Sequence, residues 1–243
     1  MKAALAKGKP ASFQGSEPLP GPFRSVLGGK PVLESNPDGS FSLNAMATLN
    51  LLEFVDDPQS SHYCVSLDLR HDEAAGLAEV GAFVGFRVDL LNGDYRRRFY
   101  TLSFASQGRL VVPNDAPRQP GTGGVHLRLR LVGNSDQVIA EPEIGTPHSF
   151  HPSWTTGGPT RWYHLEVEVS RQRIVTRWRE PNTENVEVHN VTMEDIRKDL
   201  AESANIIPEL KTAQIDFDPR GALGIFVRRS KVSIRNVVVQ PLH

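Results

Sequence analysis

The chain has 243 residues, with 27 lysines and arginines against 28 aspartates and glutamates, a formal net charge of -1 and a single cysteine, Cys64. That balance removes any global electrostatic case for nucleic acid or an anionic membrane surface, and one cysteine excludes an intrachain disulfide. The length is ample for a large core, and β-sandwiches of this size occur as one unit.

The opening residues carry Lys2, Lys7 and Lys9 but no apolar run long enough for a signal-peptide core, and no stretch approaches a membrane span. As written, the chain reads as unexported and cytoplasmic unless it is a piece of a membrane-anchored protein, and no membrane insertion is expected. Pro10 to Pro22 has the Pro/Gly/Ser composition of a linker. Residues 1–22 are therefore expected to be a flexible segment, and residues 23–243 one folded domain.

After that segment, strands alternate with turn signals. Phe41–Asn44 follows the turn Asn36-Pro-Asp-Gly39, and residues 47–54 form a second apolar stretch. In 63–70, Tyr63, Val65, Leu67 and Leu69 share one side, and Cys64, Ser66, Asp68 and Arg70 the other. Residues 80–91 continue this pattern, with Val84, Phe86, Val88 and Leu90 expected inward and Phe83, Arg87 and Asp89 outward. Asn92-Gly93 marks a hairpin, and residues 96–105 return with Tyr100 and Leu102 inward against Arg97, Phe99 and Thr101.

Val125, Leu127, Leu129 and Leu131 then alternate with His126, Arg128 and Arg130. A proline-rich loop leads to a strand with Tyr163, Leu165, Val167 and Val169 inward, and residues 172–178 and 185–191 are further strand candidates. One helix interrupts the series. Thr192 is its N-cap with Asp195 three residues on, Val191 can staple onto Ile196, and Ile196 and Leu200 form its buried side. The final residues, 221–242, alternate as two strands joined by a basic turn, with a phase slip between Ile234 and Val237 that a β-bulge would produce. The pattern predicts an all-β, antiparallel two-sheet sandwich with one short peripheral helix.

Residues 161–169 and the terminal pair 221–242 resemble the closing strands of concanavalin A-like lectin/glucanase jelly rolls, including their laminin G-like and 3-keto-disaccharide hydrolase-like branches. The resemblance implies a jelly-roll fold and does not fix an activity. The chain is also similar to the β-rich region that follows the catalytic domain of some bacterial serine/threonine protein kinases, through Phe23-Arg-Ser-Val-Leu27 and Pro219-Arg-Gly-Ala-Leu-Gly224. No kinase motif occurs here, so that likeness implies a sensor or adaptor module.

Glycoside cleavage needs two carboxyl groups flanking one bond. Glu166 and Glu168 project from the same strand face at i and i+2, roughly 6.5 to 7 Å apart at the backbone. The glucanase branch carries a third acid on this strand; here position 170 is serine and position 164 histidine. The pair is thus the alternative catalytic candidate, against a solvent-facing sheet surface. Asp216 and Asp218 supply too few oxygens for calcium and suit a turn. His148 and His151 lack further zinc ligands, and His71-Asp72-Glu73 suits a polar loop. No metal and no cofactor are expected, and Cys64 lacks a histidine partner that would activate it.

The remaining candidate is a surface. If the strands of Phe83, Arg97 and His126 are neighbours, their outward faces pool Phe83, Arg87, Asp89, Arg97, Phe99, His126, Arg128 and Arg130. Aromatic rings beside guanidinium forks suit a carbohydrate or an acidic peptide, whereas a solvated face of cross-strand ion pairs is the competing explanation. Trp162 and Trp178 are additional stacking candidates. The sequence thus leans towards a noncatalytic binding or sensor module, with a carbohydrate-active hydrolase using Glu166 and Glu168 as the alternative.

Overall fold

The computed structural model describes residues 2–13, 24–27, 32–46, 49–91, 94–107, 123–135, 137–150, 162–179, 184, 186–212 and 217–242. In chain order the elements are α1 (Lys2–Leu5), β1 (Ala11–Phe13), β2 (Arg24–Leu27), β3 (Val32–Ser35), β4 (Phe41–Asn44), β5 (Leu49–Val55), β6 (Tyr63–Leu91), β7 (Asp94–Gln107), β8 (Gly123–Val132), β9 (Val138–Ala140), β10 (His148–Phe150), β11 (Tyr163–Val169), β12 (Arg173–Arg179), β13 (Val186–Thr192), α2 (Met193–Ala204), α3 (Glu209–Thr212) and β14 (Ala222–Pro241).

Two long strands, β6 and β14, pair antiparallel along their lengths and pass together from one layer of the sandwich to the other. The first sheet uses the early part of β6 and the late part of β14, in the order β13-β12-β11-β6-β14-β4-β3, with β1 also on β14. The second uses the other halves, in the order β8-β7-β6-β14-β5-β2, with β9 and β10 beyond β8. The fold is an all-β antiparallel sandwich of jelly-roll type.

Strict alternation explains why the layers pack. In β11 every second residue is buried, and Tyr163, Leu165, Val167 and Val169 meet the equally buried Tyr63, Val65, Leu67 and Leu69 of β6. Facing them across the core are Val84, Tyr100, Leu102, Leu127, Leu129 and Ile225 of the second sheet. Each such side chain contributes roughly 1.5–3 kcal/mol on leaving water. Trp178 belongs here too: it is buried and stacked on Tyr163 at 5.1 Å, so it is core packing and not an exposed platform.

Four expectations need correction. The terminal segment is one bent strand and not a hairpin, because the basic residues lie at a bend where Arg229 takes φ 50° and the chain keeps its direction against β6. The expected bulge is present, with the register shifting between Arg235 and Val238 and Asn236 at φ 52°. His71-Asp72-Glu73 is not a loop: β6 runs through it, and His71 is buried against Ser230 at 2.9 Å. Residues 2–13 are not linker, since Leu5, Ala11 and Phe13 bury apolar side chains in the main core and β1 pairs with β14; residues 14–23 lie outside the described residues.

The fourth difference lies within β6, beside the candidate site. Between Val84 and Arg87 the β6–β7 register shifts, and Gly85 takes φ +66°. One extra residue reverses the inward and outward sets beyond it. Phe86 therefore joins Phe83 and Phe99 on the outer face, and Val88 and Leu90, expected inside, are 53% and 65% exposed. Arg87 pairs with Arg98 in register and thus shares the face of Tyr100, opposite Phe83.

Helix α2 follows its sequence signals. Thr192 accepts a hydrogen bond from the Asp195 amide and Asp195 answers with the Thr192 backbone, a capping box, while Met193, Ile196 and Leu200 are buried. Among the described residues, no helix is long and apolar enough to cross a membrane.

Candidate functional site

The outer face of the second sheet is where chemistry concentrates. Register places Ser103 beside His126, Thr101 beside Arg128 and Phe99 beside Arg130, while Gly81 and Phe83 of β6 pair with Ser103 and Thr101. Beyond β8, Glu143 forms an isolated bridge with Arg128. One end of this face is apolar. Phe83, Phe86, Phe99 and Phe226 pack with Leu27, Leu51 and Val132 in a second buried cluster.

The other end is an ionic network centred on a buried carboxylate, Glu79. It accepts a hydrogen bond from Ser103 Oγ at 3.1 Å, pairs directly with Arg130, and lies 3.3 Å from both Arg128 Nη1 and Arg228 Nη1. Arg130 is itself fully buried, donates to Thr101 Oγ1 at 3.1 Å, pairs with Glu141 and lies 4.5 Å over the Phe226 ring. Burial pulls the Arg130 guanidinium below its ordinary pKa, against the raising effect of Glu79 and Glu141.

Above that layer lies a half-buried tier. Arg128 Nε donates to Glu143 at 2.6 Å, Arg228 Nη1 donates to Glu141 at 2.9 Å, and His126 Nδ1 stands 3.1 Å from Glu143. The Arg128, His126 and Glu143 side chains are 16%, 19% and 26% exposed. Burial alone would raise the Glu143 carboxyl, but hydrogen bonding to His126 and the Arg128 charge outweigh it and hold the group below its ordinary value. The tier therefore presents fixed donors and an ionised acceptor together.

The eight residues pooled from sequence divide four ways. His126 and Arg128 reach the half-buried tier. Phe83, Phe99 and Arg130 are on the expected face but buried, because a phenylalanine cluster and an inner carboxylate take them out of solvent. Arg97, also on that face, reaches towards the Gly133 carbonyl at 3.5 Å, away from the network. The bulge sends Arg87 and Asp89 to the opposite face, where Arg87 pairs with Asp218 at 2.6 Å and Asp89 with Arg98 at 3.2 Å. Sequence reasoning missed Glu79, Glu141, Glu143 and Arg228. The available signals were Glu79 in phase with Phe83 and the i, i+2 spacing of the two later glutamates.

Glu166 and Glu168 stand together on the outer face of the first sheet, as their spacing required. Both are clamped by one guanidinium: Arg177 donates to Glu166 at 2.6 Å and to Glu168 at 3.2 Å, and His62 Nε2 lies 3.3 Å from Glu168. Burial would raise Glu168, but hydrogen bonds with His62 and Arg177 prevail and hold it below its ordinary value. A glycosidase acid needs the opposite shift. Cys64, on the same face, is pushed up to about 12, first by burial and then by Glu166.

Trp162 is partly buried, with Arg235 and Arg70 guanidinium carbons 4.1 and 4.7 Å from its ring centre, so cations already stack on it. Asp218 sits in a turn, accepting from the Arg220 amide at 2.8 Å. Asp216 and His151 lie outside the described residues, and His148 is in β10. Among the described residues, no group of three or more histidines, cysteines or carboxylates is arranged to hold a metal ion.

No protein-family model matches the chain, and no curated protein matches its sequence. Solved structures are similar to it at low identity. The VIP36 exoplasmic/lumenal domain, in a form bound to calcium and Man3GlcNAc, is similar at a TM-score of 0.49 and 9% identity, over 91% of this chain and 84% of that one. A functionally unknown protein from Saccharomyces cerevisiae gives 0.46 and 11%, over 91% and 98%. A Bacillus subtilis protein of unknown function with a galectin-like fold gives 0.44 and 12%, over 90% and 89%.

Proposed function

We propose that the chain is a noncatalytic binding module of lectin-like fold that recognises a glycan through His126, Arg128 and Glu143. The observation that carries this reading is the double clamp on Arg128. Its guanidinium is held by Glu79 beneath and Glu143 beside it, yet keeps an exposed edge. A side chain fixed before the ligand arrives loses little entropy on binding. Sugar hydroxyls donate and accept at once, which matches donors and carboxylates set side by side. An acidic peptide fits less well, because Arg128, Arg130 and Arg228 each already face two carboxylates.

The test is a glycan array on the purified chain, followed by calorimetry on any ligand found. Arg128→Ala is expected to weaken binding by about 2 kcal/mol, on the order of thirtyfold. Arg87→Ala, on the opposite face, should leave affinity unchanged. Equal losses in both variants, or no glycan bound by the wild-type chain, would refute the assignment.

A further inference from the structure

Resting on the glycan-binding role proposed above, we infer that buried Glu79 is a specificity-determining residue, which tunes the site to neutral glycans and against anionic ones. The network contains three guanidiniums, Arg128, Arg130 and Arg228, and three carboxylates, Glu79, Glu141 and Glu143. Their formal charges cancel. Without Glu79, three cations would face two carboxylates, and the half-buried tier would carry an excess positive charge.

The position of Glu79 fits this task. It is fully buried, so it cannot touch a ligand at the rim, yet it contacts all three guanidiniums. Its charge is therefore felt at the rim through Arg128 and Arg228, whose side chains are 16% and 20% exposed. Partly buried charges are weakly screened by salt, so one uncompensated charge changes the local field substantially. An incoming uronate or sulfate meets Glu141 and Glu143 at the rim and finds no cation lacking a carboxylate within the network. A neutral polyol makes the same hydrogen bonds with no like-charge repulsion. Glu79 thus acts through its neighbours as a positioning residue, and its effect is read in selectivity more than in affinity.

A fully methyl-esterified oligogalacturonide and its free acid share one backbone and differ only in charge, so the ratio of their affinities isolates the effect. The wild-type chain should favour the ester. Glu79→Gln should move that ratio about tenfold towards the free acid at low salt, and Glu79→Asp, which keeps the charge, should retain the wild-type preference. Glu141→Gln removes one negative charge at a 38% exposed side chain and should shift the ratio the same way, so the test survives if Glu79→Gln does not fold. Equal loss of both affinities in Glu79→Gln, or an aspartate variant that behaves like the glutamine one, would overturn the inference. If the wild-type chain binds neither oligosaccharide, the glycan-binding role is decided by the array alone. Selectivity against anions is then read by titrating inorganic sulfate against the arginine side-chain NMR signals. Saturable sulfate binding gained in Glu79→Gln and Glu141→Gln but absent from wild type would support the inference, and its absence from both variants would overturn it.

Discussion

Arg130 reaches from β8 across β7 to the carboxylate of Glu79 on β6, and both side chains are fully buried. Together they tie three adjacent strands on a face that the outward phase of their sequence assigns to solvent. Removing one partner of a buried ion pair leaves an uncompensated charge. Arg130→Met should cost about 3 kcal/mol or more in urea denaturation, well above the loss for exposed Arg173→Met, whose contact with Glu168 is 3.8 Å long. Equal midpoints for the two variants would show that the pair adds nothing.

His71 sets a pH dependence. Burial lowers its pKa from 6.5 to about 4 in the folded chain. The unfolded chain therefore binds more protons between those values, so this contribution is complete above pH 6.5 and is lost as pH falls towards 4. The loss should be about 3 kcal/mol across that window. It is measured as the difference in stability slope between wild type and His71→Gln, and identical slopes would contradict it.

The β6 bulge depends on glycine for two reasons that separate experimentally. Gly85 has φ +66°, and a Cβ there would lie 2.9 Å from the Phe217 ring; Gly39 has φ +78° and nothing within 4 Å. Gly39→Ala should cost about 1 kcal/mol through backbone strain alone, and Gly85→Ala clearly more. Thermal unfolding of the two variants is the comparison, and equal shifts would remove the steric contribution.

Hydrolysis is not expected. Arg177 clamps both carboxylates of the first-sheet pair, and hydrogen bonds from His62 and Arg177 hold Glu168 below its ordinary value, the opposite of what a general acid needs. The purified chain should release no chromophore from a panel of aryl glycosides at neutral pH. Turnover abolished by Glu166→Gln or Glu168→Gln would reverse this conclusion.

The sandwich was legible because alternation in β6, β8 and β11 states which residues face inward, and the α2 capping box was legible because it is local. The Gly85 bulge was not. Phe, Val and Leu continue on both sides of it, so a one-residue phase change leaves no gap in the hydrophobic pattern, and alternation alone places Arg87, Asp89, Phe86 and Val88 on the wrong face. Burial of Glu79 and Arg130 was hidden for another reason. A charged residue in outward phase ordinarily means solvent, and only the lateral order of β14, β6, β7 and β8, with Glu141 beyond β8, supplies the partners that make burial tolerable. The face on which His126 and Arg128 stand was legible because the β7–β8 register contains no such shift.

The shared course of β6 and β14 also governs how the molecule is made. Each contributes to both layers, and their pairing joins residues distant in the chain, Phe86 with Ala222 at one end and Tyr63 with Pro241 at the other. Contacts of that kind require closing a long loop before any reward is gained, which slows folding. During synthesis, β6 leaves the ribosome long before β14 and waits with an unsatisfied edge in both layers. Neither sheet is complete until β14 inserts, so assembly is expected to be late and concerted, with exposed strand edges that invite self-association in the interval.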